Sequence, residues 1–209
     1  MTTTARKRGR PPKNTSTHRD TRQILVRAGV ELLTEQGFTS SGLDAILKRA
    51  GIPKGSFYYY FSNKETFGIE LLNSYSAFFL HKLRKHLLDD SLEPMDRIVT
   101  FAEDAKSGMA KYQFNRGCLV GNLSQEVTTL PESYREILKE IFKQWQQEVA
   151  HCLALAQKNQ QLDTQHNCYE LAEFFWIGWE GAVLRAGIEQ NAEPLDKFIK
   201  YFMAGLKKT

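Results

Sequence analysis

Cysteine is scarce in this sequence. Cys118, Cys152 and Cys168 stand far apart along 209 residues. Three cysteines so widely spaced fit neither a disulfide framework nor a zinc site. Long apolar runs are missing too, and none approaches the roughly 18 residues that a membrane-spanning helix requires. The basic N-terminus leads into no apolar segment, so a secretory signal is not expected and the cytoplasm is the expected location. No alternating strand pattern and no internal repeat occurs. No nucleophile motif sets a base beside a cysteine either. A cysteine-dependent enzyme, with Cys118 served by His81, His86 or His151, is therefore the weaker alternative, and no cofactor or metal is expected.

Charge is abundant but uneven. Lys and Arg number 28 against 24 Asp and Glu, yet residues 1–64 carry 12 basic and 4 acidic side chains while residues 65–209 carry 16 and 20. A basic first third on a mildly acidic remainder implies a polyanion partner for the first third alone. Residues 1–18 are polar, without apolar periodicity, and read as a disordered arm. Within it Arg8-Gly9-Arg10-Pro11 resembles the core of an AT-hook. A flat Arg-Gly-Arg lies well in the narrow, strongly negative minor groove of A·T-rich DNA. The alternative is a basic tail that attracts DNA non-specifically.

Helical periodicity starts at about Arg19. Ile24, Leu25, Ala28, Leu32 and Leu33 form an inward stripe that ends at Gly37, with Phe38 plugging a small core. Residues 40–65 then read as two short helices about a sharp turn. Leu43, Ile46, Leu47 and Ala50 give the first an apolar face, with Ser41 and Asp44 as its expected capping pair and Gly51 as its stop. Pro53 opens the second, which turns Phe57, Tyr60 and Phe61 inward and leaves Lys54, Gly55, Ser56, Tyr58 and Tyr59 outward. Phosphate donors, a bare backbone and two phenols suit a DNA groove. Ser62 and Glu65 are the expected capping box of the next helix, where Lys64 sits against the helix dipole as though facing phosphate.

The segments GFTSSGLDAILKRAG and GIPKGSFYYYFSNKETF closely resemble the helix-turn-helix of TetR/AcrR-type transcriptional regulators. The resemblance implies an all-α homodimer with a three-helix DNA-binding domain at residues 19–65 and a ligand-binding and dimerisation domain at 66–209. It implies contact of Ser41, Lys54, Ser56, Tyr58, Tyr59 and Lys64 with double-stranded, palindromic operator DNA, although the position of Tyr59 is often His in the family. A small-molecule inducer is the other implied partner. An architectural binder of A·T-rich DNA, independent of any ligand, is a further alternative.

The larger region reads as helical throughout. A long helix from about Asn63 to Leu88 connects the domains, burying Phe67, Leu71, Tyr75, Phe78 and Leu83, and Pro94, Pro131 and Pro194 open three more. A shorter helix follows Cys118, and another runs from about Asn167 to Ile188. That last one holds Trp176, Trp179, Gly178, Gly181 and Glu180. Glycine costs about 1 kcal/mol per helical position, so Gly178 and Gly181 are expected at a close two-fold contact with Arg185, Phe198 and Phe202. Trp145, Trp176 and Trp179 line a pocket or fill the core. A buried Glu180 needs a partner, and Arg185 is a candidate. Arg116 and a helix N-terminus beside Cys118 would favour the thiolate, whereas a small buried hydrophobe is the plainer reading of that cysteine. RGCLVGNLSQE and FFWIGWEGAVLRA resemble a subgroup of the family whose inducers are unsaturated acids or small electrophiles. That likeness makes Cys118 a candidate sensor, with Arg116 and Asn122 as candidate ligand donors.

Overall fold

Apolar residues recurring every three or four positions can be buried only helix against helix. A computed structural model describes residues 15–206, with side chains from Asp20 onward; Arg8, Arg10 and the rest of residues 1–14 lie outside the described residues, whereas residues 15–18, expected in a disordered arm, are the first turn of a helix. Among the described residues there are nine helices and no strand. They are α1 (Thr15–Gln36), α2 (Leu43–Ala50), α3 (Lys54–Tyr60), α4 (Lys64–Leu87), α5 (Pro94–Ala110), α6 (Leu119–Gln125), α7 (Glu132–Lys158), α8 (Cys168–Glu189) and α9 (Glu193–Gly205). None is long and apolar enough to cross a membrane.

Helices α1 to α3 close around Leu25, Leu33, Ile46, Phe57 and Phe61, and α4 contributes Phe67 and Leu71 to the same core. Helix α4 then continues into the larger bundle, where it packs on α5 and α7, while α8 packs on α7 and α9. Two residues leave their expected places. Ile24 is 47% exposed because the inward stripe of α1 follows Leu25, Ala28 and Leu32, and Phe78 is 64% exposed beside the groove between α1 and α4.

The helix ends also correct the expected caps. Gly42, not Ser41, precedes α2, and Ser41 is fully buried with Oγ donating to Gly37 O at 2.6 Å. That bond satisfies a carbonyl left open where α1 stops, and it turns the Ser41 hydroxyl away from any groove of DNA. Asn63 rather than Ser62 caps α4: Thr66 N–H donates to Asn63 Oδ1 at 2.8 Å, and Asn63 N–H returns to Thr66 Oγ1 at 3.3 Å. Two capping boxes overlap in this sequence, one residue apart, and the second forms. Gly51, at φ 66°, closes α2 as its sequence position implies.

Ser41→Ala should lower stability by about 1–2 kcal/mol, because it orphans a buried carbonyl. The measurement is the urea midpoint at unchanged slope. An unmoved midpoint would mean that Gly37 O finds another donor.

Candidate functional site

The outward face of α3 is built by what the inward face buries. Phe57 is fully buried, its ring 5.5 Å from Phe61 and 5.3 Å from Phe67, which fixes the helix by one edge. The opposite edge then presents Tyr58 and Tyr59, 54% and 71% exposed, with Lys54 and Gly55 exposed and Ser56 partly so. Nothing lies within 4 Å of where a Cβ on Gly55 would sit, so a large ligand could reach that backbone. Lys54 Nζ lies 3.2 Å from Asp44 Oδ1 in an exposed pair, which water screens and phosphate could displace.

Lys64 is placed differently from expectation. Its Nζ donates to Phe38 O at 2.8 Å and lies 4.2 Å from the centroid of the Phe38 ring. Partial burial lowers its pKa, and the Glu126 carboxylate works the other way. The charge that opposes the α4 dipole is thus balanced inside the protein rather than offered to phosphate. Glu126, just after α6, completes the arrangement by accepting Phe38 N–H at 2.8 Å and Thr39 N–H at 2.6 Å. The turn between α1 and α2 is therefore held from the larger domain.

A cavity of about 450 Å³ lies between α1, α4, α5 and α8, with apolar walls that include Val30, Phe79, Met109 and Trp179. Cys118, Glu180 and Tyr75 supply its polar inner end. A second cavity of about 300 Å³ shares Cys118 and Glu180 and continues past Phe114 to Leu184 and Ile188. No histidine lines either among the described residues, and His86 instead meets Asp104 at 3.0 Å. No cluster of His, Cys, Asp or Glu that could hold a metal occurs among the described residues.

Cys118 caps α6, its Sγ accepting Gly121 N–H at 3.4 Å. Burial, and then the Glu180 carboxylate, push its thiol well above the ordinary range. This overturns the thiolate expectation. Arg116 is not its neighbour in charge: the guanidinium lies 2.7 Å from Glu35 and 4.1 Å over the Tyr112 ring. The charged neighbour of the thiol is Glu180, and Tyr75 lines the same cavity. Burial lifts the Glu180 pKa to about 7 and raises that of Tyr75 well above its usual value. Arg185, proposed from sequence as the Glu180 partner, instead pairs with Glu189 along α8.

The remaining candidates separate into two groups. Trp145 and Trp176 are buried core residues 5.0 Å apart, absent from the lining of both cavities, whereas Trp179 lines the larger one. Asn122 lines the smaller cavity, but its Nδ2 donates to Leu33 O and Thr34 O at 3.3 and 3.2 Å, so its donors close the end of α1. Gly178 admits the Phe198 ring, which a Cβ would overlap, and therefore serves packing within the chain. Phe198 and Phe202 pack on Phe175 at 5.5 and 5.2 Å, again within the chain, with Phe202 buried. Gly181 faces open space. Around it Phe174, Ile177, Leu184 and Ile188 form an exposed apolar stripe on α8. The three- and four-residue spacing of that stripe was readable in the sequence, but so was the opposite stripe, which faces the core. Glu126 carried no sequence signal, because its partners are backbone groups nearly ninety positions away.

Comparison with known proteins gives a consistent result. The domain described as "Bacterial regulatory proteins, tetR family" matches residues 25–71, and "Tetracyclin repressor-like, C-terminal domain" matches residues 94–202. The transcriptional regulator AcuR of Cereibacter sphaeroides is 46% identical over 199 residues, 94% of this chain and 89% of that protein. The repressor NemR of Escherichia coli is 31% identical over 188 residues, 90% of this chain and 94% of its own. Among solved structures, a regulatory protein TetR from Rhodobacter sphaeroides superposes with a TM-score of 0.88 at 46% identity, covering 89% of this chain and 98% of that one. Reduced E. coli NemR gives 0.79 at 30% identity, covering 91% and 98%.

Proposed function

Because the chain belongs to the TetR family of bacterial transcriptional regulators, we propose that it works as a homodimeric repressor. It leaves a palindromic operator when a small unsaturated acid or electrophile enters the cavity that ends at Cys118. The observation that carries this reading is the pairing of two features in one chain. An α3 fixed by Phe57 exposes Lys54, Gly55, Tyr58 and Tyr59, and an apolar cavity lies between that domain's α1 and the larger bundle. A ligand can shift the equilibrium only through different affinities for the two shapes, and a cavity walled by both domains changes shape when they move apart. An architectural binder would need no such cavity.

The dimer contact is assigned to the exposed α8 stripe of Phe174, Ile177, Leu184 and Ile188, with Gly181 at its centre. Two copies meeting through the same patch would place their α3 helices to read two half-sites.

The test is selection of the bound sequence from random DNA, followed by titration against salt. A two-fold symmetric site should emerge, and affinity should fall steeply with salt as counterions are released. Lys54→Ala should flatten that slope by about one unit for each phosphate it no longer neutralises, and Tyr58→Phe should weaken all sequences about equally. Both variants should keep the helical circular dichroism of the parent. An unchanged footprint and slope for both would remove α3 from the DNA.

A further inference from the structure

We infer that Glu180 is the proton-holding partner of a carboxylate effector, which enters the cavity together with one proton and shares it with the Glu180 carboxyl group. This deepens the reading of the cavity as an effector site and rests on it. Glu180 stands where the two cavities meet and lines both of them. Gly121 keeps the place of its carboxyl group open, since a Cβ there would overlap Glu180 Oε2. No basic side chain pairs with Glu180 among the described residues, and Arg185 on the same helix turns to Glu189 instead.

The cations of the lining are already committed. Arg116 lies 2.7 Å from Glu35 and 4.0 Å from Glu31, Arg27 meets Glu31 at 3.7 Å, and Lys82 meets Asp104 at 3.0 Å. A ligand carboxylate that took one of these cations would leave the displaced carboxylate unpaired, so the exchange gains nothing. The other ionisable groups of the two linings are Tyr75 on α4, Tyr112 after α5, and Cys118, and none of them is a cation.

A carboxylate therefore enters beside Glu180 only if one of the two gives up its charge, because two carboxylates sharing an apolar site cannot both ionise. The proton between them then makes a charge-assisted O–H···O bond, roughly twice as strong as a neutral one. Burial lifts the Glu180 pKa to about 7, so the group already holds that proton in mildly acid solution and must gather it from solvent at higher pH. Burial also pushes the Cys118 thiol and the Tyr75 hydroxyl well above their ordinary ranges, so neither titrates between pH 6 and 9. An uncharged amide needs no proton, because ionised Glu180 can accept its N–H.

Calorimetry measures binding of acrylate and of acrylamide to the full-length protein between pH 6 and 9, with the intact mass confirming an unmodified thiol. Acrylate affinity should fall about 100-fold from pH 6 to pH 9, because only the fraction of protein with Glu180 protonated accepts it. Acrylamide affinity should change by less than about threefold over the same range. Titration at pH 8 in two buffers of different ionisation heat should show about one proton taken up per acrylate and none per acrylamide. Glu180→Gln supplies a fixed N–H donor where the wild type must first bind a proton. It should hold acrylate equally well at pH 6 and pH 9, and at pH 9 about tenfold or more better than the wild type. A side chain that only fills space would not give that gain. Should Glu180→Gln fail to fold, proton uptake by the wild type decides alone. A flat acrylate affinity, no proton uptake, or a Glu180→Gln variant with the wild-type pH profile would each overturn the inference. Binding of acrylamide without acrylate at pH 6 would do the same, and in all of these cases the effector cavity stands. Failure of both compounds to bind at pH 6 removes the effector reading and the inference with it.

Discussion

Gly181→Leu should yield a chain that is more stable as a monomer and no longer dimerises. The two halves of this result have separate causes. A Cβ at position 181 meets nothing within 4 Å of its own chain, so the first added carbon clashes with none of its packing. Replacing a mid-helix glycine of α8 by a good helix former should then stabilise that helix by up to about 1 kcal/mol. Across a two-fold contact centred on residue 181, the same side chain enters twice and forces the helices apart. Ile177→Asp should also separate the protomers, by placing a charge in the stripe, but without the gain in helix stability. Loss of the dimer uncouples the two half-sites, and operator affinity should fall by about 100-fold or more, the usual gain of linking two binding heads. Sedimentation at micromolar concentration and an operator titration read both effects. A normal dimer from both variants would move the contact off α8.

How far the sequence alone reveals this molecule depends on the range of each interaction. The stripe Leu25, Leu32, Leu33 and the trio Ile46, Leu47, Phe57 are local patterns, and they place α2, α3 and the end of α1 within a residue or two, while α1 begins at Thr15, four residues before the expected Arg19. Gly51 is legible for the same reason, since a left-handed residue is a local demand. Caps were less legible where two candidates overlapped, as with Ser62 and Asn63, because the choice depends on how α4 docks. Partners of charged groups were hardest. Arg116 stands two residues from Cys118 in sequence yet turns to Glu35 and Tyr112, while Glu180, more than sixty positions on, becomes the neighbour of the thiol. Sequence proximity predicted the wrong sign of the Cys118 shift because helix packing, not spacing, sets what surrounds a buried group. The tryptophans divided for a similar reason: Trp176 and Trp179 lie on adjacent turns of α8, but only Trp179 reaches the cavity.

Glu126→Ala should separate ligand binding from operator release. Its carboxylate holds Phe38 N–H and Thr39 N–H, and Lys64 holds Phe38 O, so the turn that positions α2 and α3 is fixed at three points. Glu126 closes α6, and α6 begins at Cys118. A change at the inner end of the cavity is therefore one short helix away from the turn. Removing the carboxylate strips two backbone donors of a charged acceptor, and the Phe38 donor is in a buried residue, for a loss of about 1.5–3 kcal/mol in stability. It also removes the grip through which movement of α6 would reach the DNA-reading helix. Operator affinity without ligand should change little once the protein is kept well below its melting temperature. The ratio of operator affinities without and with an effector should instead fall toward one, while the effector itself still binds. Glu126→Gln keeps a single neutral acceptor and should lie between the two. Titration of operator binding at saturating effector, beside a direct measurement of effector binding, reads the two quantities separately. Full release by Glu126→Ala would place the coupling on α4 instead, the other element that crosses between the domains.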